Sequence, residues 1–120
     1  MIDRLQIFTK VFDFTVWMLN HTIKFPKSHR FTIAVRIEDV LLDILQGIII
    51  ANMRKDKLAD LQKVNEHLEV LRILLRLSHS LRFFATNSYE YAVREINEIG
   101  RLLGGWIKQQ VQSAQKGDRS

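Results

Sequence analysis

The sequence has no cysteine, one proline and only five glycines among its 120 residues. Without cysteine the chain can form neither disulfides nor thiolate zinc sites, and it has no cysteine nucleophile. We therefore expect a reducing, cytoplasmic compartment. Because proline and glycine are scarce, long segments contain nothing that interrupts a helix. A chain of this length is expected to form one domain around a single core.

Long apolar runs are missing as well. The most apolar segment, 40–51, is broken by Asp43 and Gln46 and is too short to span a bilayer. The beginning of the chain carries charges such as Asp3 and Arg4, where a secretory signal would need an uninterrupted apolar stretch. We expect no membrane partner and no export.

The motifs of common catalytic and metal sites are also absent from the sequence. A di-iron site in a helical bundle needs the motif Glu-x-x-His on two helices. The residues three positions before the four histidines are Met18, Pro26, Val64 and Arg76, and none is acidic. No glycine-rich phosphate loop, nucleophile elbow or zinc-protease helix occurs. We expect neither enzymatic activity nor a metal or cofactor, which makes a metal-binding bundle enzyme the weakest alternative.

Good helix formers fill most of the remaining sequence. The first helix is expected at 2–24, because the residue before Pro26 is disfavoured in a helix. A second helix is expected at 28–51, with Ser28 as its N-cap. The polar joint that follows favours a turn.

The third helix is expected at 57–84 and the fourth after a joint at 86–88. Asn87 and Glu90 have the three-residue spacing of a capping box at this start. The fourth helix is expected to end near 112, because the residues beyond it are polar and include a glycine.

Joints this short predict an all-α, antiparallel up-down-up-down four-helix bundle over 1–112, followed by a flexible tail at 113–120. Apolar residues at alternating steps of three and four mark one core stripe on each of the last two helices. They are Leu61, Val64, Leu68, Leu71 and Leu75 in the third helix, and Tyr89, Ala92, Ile96, Ile99, Leu103 and Trp106 in the fourth.

The first two helices are apolar on more than one face. In the first helix one stripe holds Leu5, Phe8, Phe12, Val16, Leu19 and Ile23, and another holds Ile7, Val11, Phe14 and Met18, with Trp17 besides. A bundle core needs only one of these stripes, and a large exposed apolar surface is typical of an interface. We expect self-association through the first two helices, with the oligomer interface formed by Ile7, Val11, Phe14, Trp17 and Met18.

Basic residues outnumber acidic ones by 18 to 13, and the pI is near 9.8, which permits a polyanionic partner. Helical spacing groups them into two stripes and a cluster: Arg72, Arg76 and His79; Arg94, Arg101 and Lys108; and Lys24, Lys27, His29 and Arg30 at the first joint. Guanidinium groups bind phosphates or carboxylates as bidentate forks. The alternative, a solvated outer face of a basic bundle, fits each single residue equally well.

Three glycines interrupt the fourth helix at Gly100, Gly104 and Gly105. Each should cost about 1 kcal/mol relative to alanine, so a packing reason is expected. Gly100 and Gly104 share a helix face and would let another helix approach closely, next to Trp106. A functional loop is the weaker alternative.

Three segments carry a resemblance to a known family: EIGRLLGGWIK at 98–108, FPKSHRF at 25–31 and LRILLRL at 71–77. They are similar to the accessory variability determinant (Avd) proteins of diversity-generating retroelements, a fold also found in proteins encoded within ribosomal RNA intervening sequences. The resemblance covers about 17–108.

The resemblance implies a non-catalytic accessory subunit that assembles as a barrel-shaped pentamer. Its implied partners are a reverse transcriptase and the template RNA, with DNA as a further candidate, in mutagenic cDNA synthesis and retrohoming. Arg72 and Arg76 match positions that the family uses for the polymerase and nucleic acid, and Lys27 and Arg30 match loosely. An interaction protein of the intervening-sequence type, without a polymerase partner, is the alternative.

Overall fold

The structure is a computed structural model that describes residues 4–118 of the chain, and side chains within 6–117. Within this part the chain forms four long helices and no strand, which confirms the all-α class. They are α1 (Arg4–Thr22), α2 (Val35–Met53), α3 (Leu58–Ser80) and α4 (Thr86–Asp118). The expected first residues of α1, at Ile2 and Asp3, and the last two residues of the expected tail lie outside the described part.

The helices form an antiparallel bundle in which chain neighbours are spatial neighbours. α2 packs against α1 and α3, and α4 packs against α3 and α1. As α1 advances from Lys10 to Trp17, its contacts on α4 move back from Glu95 to Tyr91. The described chain is 57 Å long and 24 by 21 Å across. This arrangement is the predicted up-down-up-down bundle, with α1 and α3 diagonally opposite.

The core of α3 and α4 follows the predicted stripes. All five residues predicted for α3 are buried, and so are those predicted for α4 except Tyr89, which is partly exposed. Their regular spacing places every one of them on the side that meets the other helices. The apolar periodicity alone therefore identifies both core faces.

In α1 the structure corrects the assignment of the two apolar stripes. Ile7, Val11, Phe14 and Met18, predicted at the oligomer interface, are buried in the chain's own core. Trp17 is partly buried and packs with Phe14, His21 and Tyr91 at ring-centroid distances of 5.8, 3.9 and 4.8 Å. These five residues are committed to the bundle itself. Of the other stripe, Phe12, Val16, Leu19 and Ile23 are exposed, and Phe8 is partly buried against the core.

The connection from α1 to α2 differs from the expected single helix start at Ser28. A one-turn helix, Lys27–His29, directly follows Pro26, and a π-helical turn, Arg30–Ala34, leads into α2. Pro26 suits this start because it supplies no N–H and its φ is already close to helical. No side chain caps this helix start, so the predicted N-cap role of Ser28 is wrong.

α3 ends at Ser80, four residues before the predicted end at 84. The N–H of Phe83 donates to the carbonyl of Ser78 at 2.9 Å, while Arg82 has a φ of 65°. This pairing of a left-handed residue with a six-to-one hydrogen bond is a Schellman-type helix end. Glycine normally occupies the left-handed position, so an arginine there gave no signal in the sequence.

α4 is longer than predicted at its C-terminal end, because it continues to Asp118 instead of ending near 112. The segment 113–118, expected as part of a flexible tail, is helical. At the start of α4, Asn87 Oδ1 accepts a hydrogen bond from the N–H of Ser88 at 2.9 Å. Asn87 thus lies within the first turn and does not form the predicted capping box with Glu90.

A buried lysine closes the joint between α2 and α3. Lys57 Nζ donates to the carbonyl of Ala51 at 2.9 Å, to that of Asn52 at 3.2 Å, and to that of Arg54. The last carbonyls of a helix have no partner within it, and a cation there also complements the helix dipole. Lys57 therefore acts as the C-terminal cap of α2.

We expect Lys57→Met to lower the free energy of unfolding by about 1–3 kcal/mol, because three carbonyls at the end of α2 and in the following joint lose a charged donor. Urea unfolding followed by circular dichroism measures the change. The exposed neighbour Lys55 provides the control, and Lys55→Met should leave the urea midpoint nearly unchanged. Equal midpoints for the two variants would contradict the capping role.

Candidate partner-binding groove between α3 and α4

An open groove of about 240 Å³ lies between α3 and α4. Its walls combine two arginines with apolar and aromatic side chains: Arg72, Ile73, Leu75, Arg76, Tyr89, Val93 and Ile96. Arg72 and Arg76 are one helical turn apart, so both project from the same side of α3. The structure thus places two predicted binding residues in one concave surface, which we call the arginine groove.

Arg72 is held by two side chains of the same chain. Its Nε donates to Glu69 Oε1 at 3.2 Å, and its Nη1 donates to Asn97 Oδ1 at 2.6 Å. A guanidinium has five N–H donors, so these two bonds leave three of them. Arg72 is fixed in orientation yet retains donors for another acceptor.

Arg76 is exposed, and in the described part of the chain it has neither a hydrogen bond nor an ion pair. Its charge is therefore not neutralised by a carboxylate of the bundle. An exposed, unpaired guanidinium can bind a phosphate or carboxylate without first breaking an internal contact. Arg76 is the more available of the two arginines.

His79 lies at the same end of α3 as the groove and stacks on Tyr89, which lines it. The two rings are 4.3 Å apart with an interplanar angle of 5°. His79 Nε2 is also 3.5 Å from Thr86 Oγ1. His79, the third residue of the basic stripe predicted on α3, thus supports the groove wall through Tyr89.

The predicted stripe on α4 does not line the arginine groove. Arg94, Arg101 and Lys108 are all exposed on the outer side of α4. Arg101 Nε donates to Glu98 Oε2 at 3.1 Å, and this hydrogen bond lowers the pKa of Glu98 and raises the pKa of Arg101. Arg101 is therefore paired within its own helix.

The basic cluster at the first joint is also separate from the groove. Lys27 is exposed, whereas Arg30 Nη2 donates to the carbonyl of Ile23 at 3.0 Å. His29 packs near Phe83, with ring centroids 5.0 Å apart. Arg30 and His29 thus stabilise the joint, whereas Lys24 and Lys27 are both exposed to solvent.

The glycines of α4 have different surroundings. A Cβ placed on Gly100 would lie 2.8 Å from Arg72 Nη2 and 3.6 Å from Leu68 Cδ2, so this position packs closely against α3. A Cβ on Gly104 would meet nothing within 4 Å, which corrects the prediction that both glycines face a packed helix. Gly105 is partly buried and Trp106 is fully buried.

Sequence reasoning missed an apolar stripe on the outer side of α3. Val70, Ile73, Leu77 and Leu81 are between 44 and 63% exposed. Their spacing of three or four residues was visible in the sequence, but the stronger core stripe of the same helix accounted for its amphipathicity. Ile73 joins this stripe to the arginine groove.

A second exposed apolar surface covers the outer sides of α1 and α2. On α1 it consists of Phe12, Val16, Leu19 and Ile23, and on α2 of Val35, Leu42, Ile49 and Met53. The prediction that the first two helices carry more apolar surface than one bundle can bury is confirmed. We call this surface the α1–α2 patch.

In the part of the chain that the structure describes, no cluster of three or more histidine or acidic side chains could hold a metal ion. None of the described helices combines the length and the apolar character that crossing a membrane requires.

Residues 5–110 match the family described as bAvd-like. No curated protein matches the sequence. Among solved structures, the chain is similar to a protein of unknown function from the S23 ribosomal protein family of Bacteroides thetaiotaomicron VPI-5482. The TM-score is 0.80 at 19% identity, over 88% of this chain and 97% of that one, which establishes a shared fold. Since the family match spans most of the sequence, this chain belongs to the bAvd-like family of accessory, non-catalytic proteins of the Avd type.

Proposed function

We propose that the protein is the accessory subunit of a diversity-generating retroelement, which binds the reverse transcriptase and nucleic acid, chiefly template RNA, to support mutagenic cDNA synthesis and retrohoming. The arginine groove is the observation that carries this proposal. It presents Arg72, with three donors left, and Arg76, which has no partner among the described residues, beside exposed apolar side chains. Such a surface suits phosphates and the carboxylates of a protein partner.

Self-association is the second part of the proposal. The α1–α2 patch is one exposed apolar surface. The second is the apolar stripe of Val70, Ile73, Leu77 and Leu81, which we call the α3 stripe. The two surfaces are unlike, and α1 and α3 lie on opposite corners of the bundle. Unlike surfaces favour head-to-tail contacts, which close into a ring when the rotation between subunits allows it. A pentamer is the ring size implied by the resemblance to Avd proteins, and the apolar surfaces support ring formation in general.

The second candidate is a bundle protein of the intervening-sequence type that binds its partners without a polymerase. The similarity to the protein of the S23 ribosomal protein family shows the fold alone and is compatible with this candidate. Co-expression with the reverse transcriptase encoded in the same locus separates the two. Retention of the polymerase on the tagged accessory protein supports the first, and its absence at low salt supports the second.

Replacing Arg72 and Arg76 together with glutamate should abolish co-purification of the polymerase or weaken RNA binding more than tenfold. Each lost charge-assisted hydrogen bond is worth about 1.5–3 kcal/mol. If RNA phosphates are the ligands, the slope of log K against log salt should fall in magnitude by about 1.4, from two lost contacts to a single strand. Fluorescence anisotropy with a labelled 20-nucleotide RNA measures the RNA affinity, and a pull-down measures retention of the polymerase.

The control for this pair is Lys55→Glu with Lys116→Glu, which changes the net charge equally at exposed positions away from the groove. Helix content and particle mass should stay the same in both double variants. Binding that weakens equally in both would show that overall charge, and not the arginine groove, holds the partner.

A further inference from the structure

The position of the Arg72 side chain depends on the space above Gly100. A Cβ at residue 100 would lie 2.8 Å from Arg72 Nη2, which is closer than nonbonded carbon and nitrogen atoms normally approach. Arg72 Nη2 therefore occupies the space in which a side chain at residue 100 would begin. Any larger residue at 100 would push the guanidinium away from this position.

Two further contacts act on the same guanidinium. Asn97, on α4 one turn before Gly100, accepts from Nη1 at 2.6 Å, and Glu69, on α3 one turn before Arg72, accepts from Nε at 3.2 Å. Both partners are on the outer side of the bundle and hold the group at the rim of the groove. The donors that remain are one N–H on Nη1 and two on Nη2.

We propose that Gly100 is a positioning residue that seats the Arg72 guanidinium against α4, where Asn97 and Glu69 hold it as a preformed fork for a two-oxygen anion. A flexible arginine loses side-chain entropy when it binds, and a group that is already fixed loses less. The missing Cβ thus improves anion binding by Arg72, although the glycine itself touches no ligand. The role in partner binding rests on the proposed function, whereas the seating of Arg72 concerns the chain alone.

Gly104 offers a matched control because it lies one turn further along α4, in open space. Gly104→Ala should raise Tm by about 4 °C through better helix propensity alone. Gly100→Ala should show little or no gain, because the new methyl group displaces Arg72. In an Arg72→Ala background, Gly100→Ala should regain the same increase in Tm as Gly104→Ala.

The second readout is the ¹H–¹⁵N signal of Arg72 Nε, together with its response to inorganic phosphate. Gly100→Ala should shift this signal and weaken its phosphate response at least threefold, while Gly104→Ala should change neither. Equal gains in Tm for the two variants, with an unmoved Arg72 signal, would overturn the proposal. So would an unchanged phosphate response in a variant whose Arg72 signal has moved.

The outcome for the proposed function is measured separately by the polymerase pull-down. If Arg72 is displaced in Gly100→Ala and phosphate binding weakens, but wild-type protein retains no polymerase, the seating role stands and the proposed function fails. If wild-type protein retains the polymerase and Gly100→Ala retains as much, the fork has no part in that contact.

Discussion

Glutamate at both Phe12 and Val16 is expected to dissociate the proposed oligomer into monomers of 14.1 kDa. These side chains are 48 and 49% exposed in the single bundle and belong to the α1–α2 patch. Burial of such side chains in an interface contributes about 1.5–3 kcal/mol each, and a carboxylate in their place must be desolvated. We expect the dissociation constant to rise by more than 100-fold, as measured by light scattering at micromolar concentration.

Gln112→Glu with Gln115→Glu adds the same charge at exposed polar positions of α4, outside both apolar surfaces, and should leave the mass unchanged. A wild-type protein that is already monomeric at micromolar concentration would remove the proposal of self-association. Loss of helix content in the Phe12 and Val16 variant would instead show that the bundle itself had been damaged.

A mixing experiment tests whether the contact is head-to-tail. Val70→Glu with Leu77→Glu places charges in the α3 stripe, and this variant should also be monomeric. Mixed with the Phe12 and Val16 variant, it should form a dimer, because each variant supplies the surface that the other has lost. Two monomers that stay apart would point to a contact between like surfaces.

The second large effect is on stability. Trp106→Ala should lower the free energy of unfolding by about 3–5 kcal/mol, because this fully buried side chain is among the largest in the core and its removal leaves a cavity. Urea unfolding at one fixed protein concentration measures it, since self-association also stabilises a fold.

Trp106→Phe keeps most of the apolar volume and should cost clearly less than the alanine variant. The partly exposed neighbour Ile107 provides a second comparison, and Ile107→Ala should also cost less. A loss below about 1 kcal/mol for Trp106→Ala would mean that α4 does not depend on this residue for its packing.

The core of α3 and α4 could be read from the sequence because each helix has one dominant apolar stripe. In α1 two stripes of similar strength compete, and a helical period cannot say which of them meets α2 and α4. Ile7, Val11, Phe14 and Met18 are buried in the core, whereas the side chains of the other stripe, such as Phe12 and Val16, are exposed. That choice depends on packing between helices, which local periodicity does not contain.

Helix ends were predictable where a residue type signals them and not elsewhere. Pro26 correctly marked the joint between α1 and α2. The end of α3 was missed because Arg82 adopts a left-handed conformation that usually belongs to glycine. The C-terminal cap of α2 was missed for another reason, since Lys57 reaches back over several residues to carbonyls at the joint.

The arginines of the groove were predicted from their spacing, but their surroundings were not. Helical spacing places Arg72 and Arg76 on one side of α3. Spacing alone does not show which neighbouring helix packs against that side. Asn97 and Gly100 become part of the arrangement only when α4 packs there. The α4 basic stripe follows the same spacing rule, yet it points away from the groove.

The unusual length of α4 gives the molecule a natural place for a reporter group. Its 33 residues span about 50 Å at 1.5 Å per residue, and the side chains from Val111 to Gly117 are all exposed. A dye on Lys116 would sit about 35 Å along the axis from Val93 at the groove wall. That separation suits energy transfer to a second dye on a bound polymerase or RNA, so occupancy could be followed without touching the binding surface.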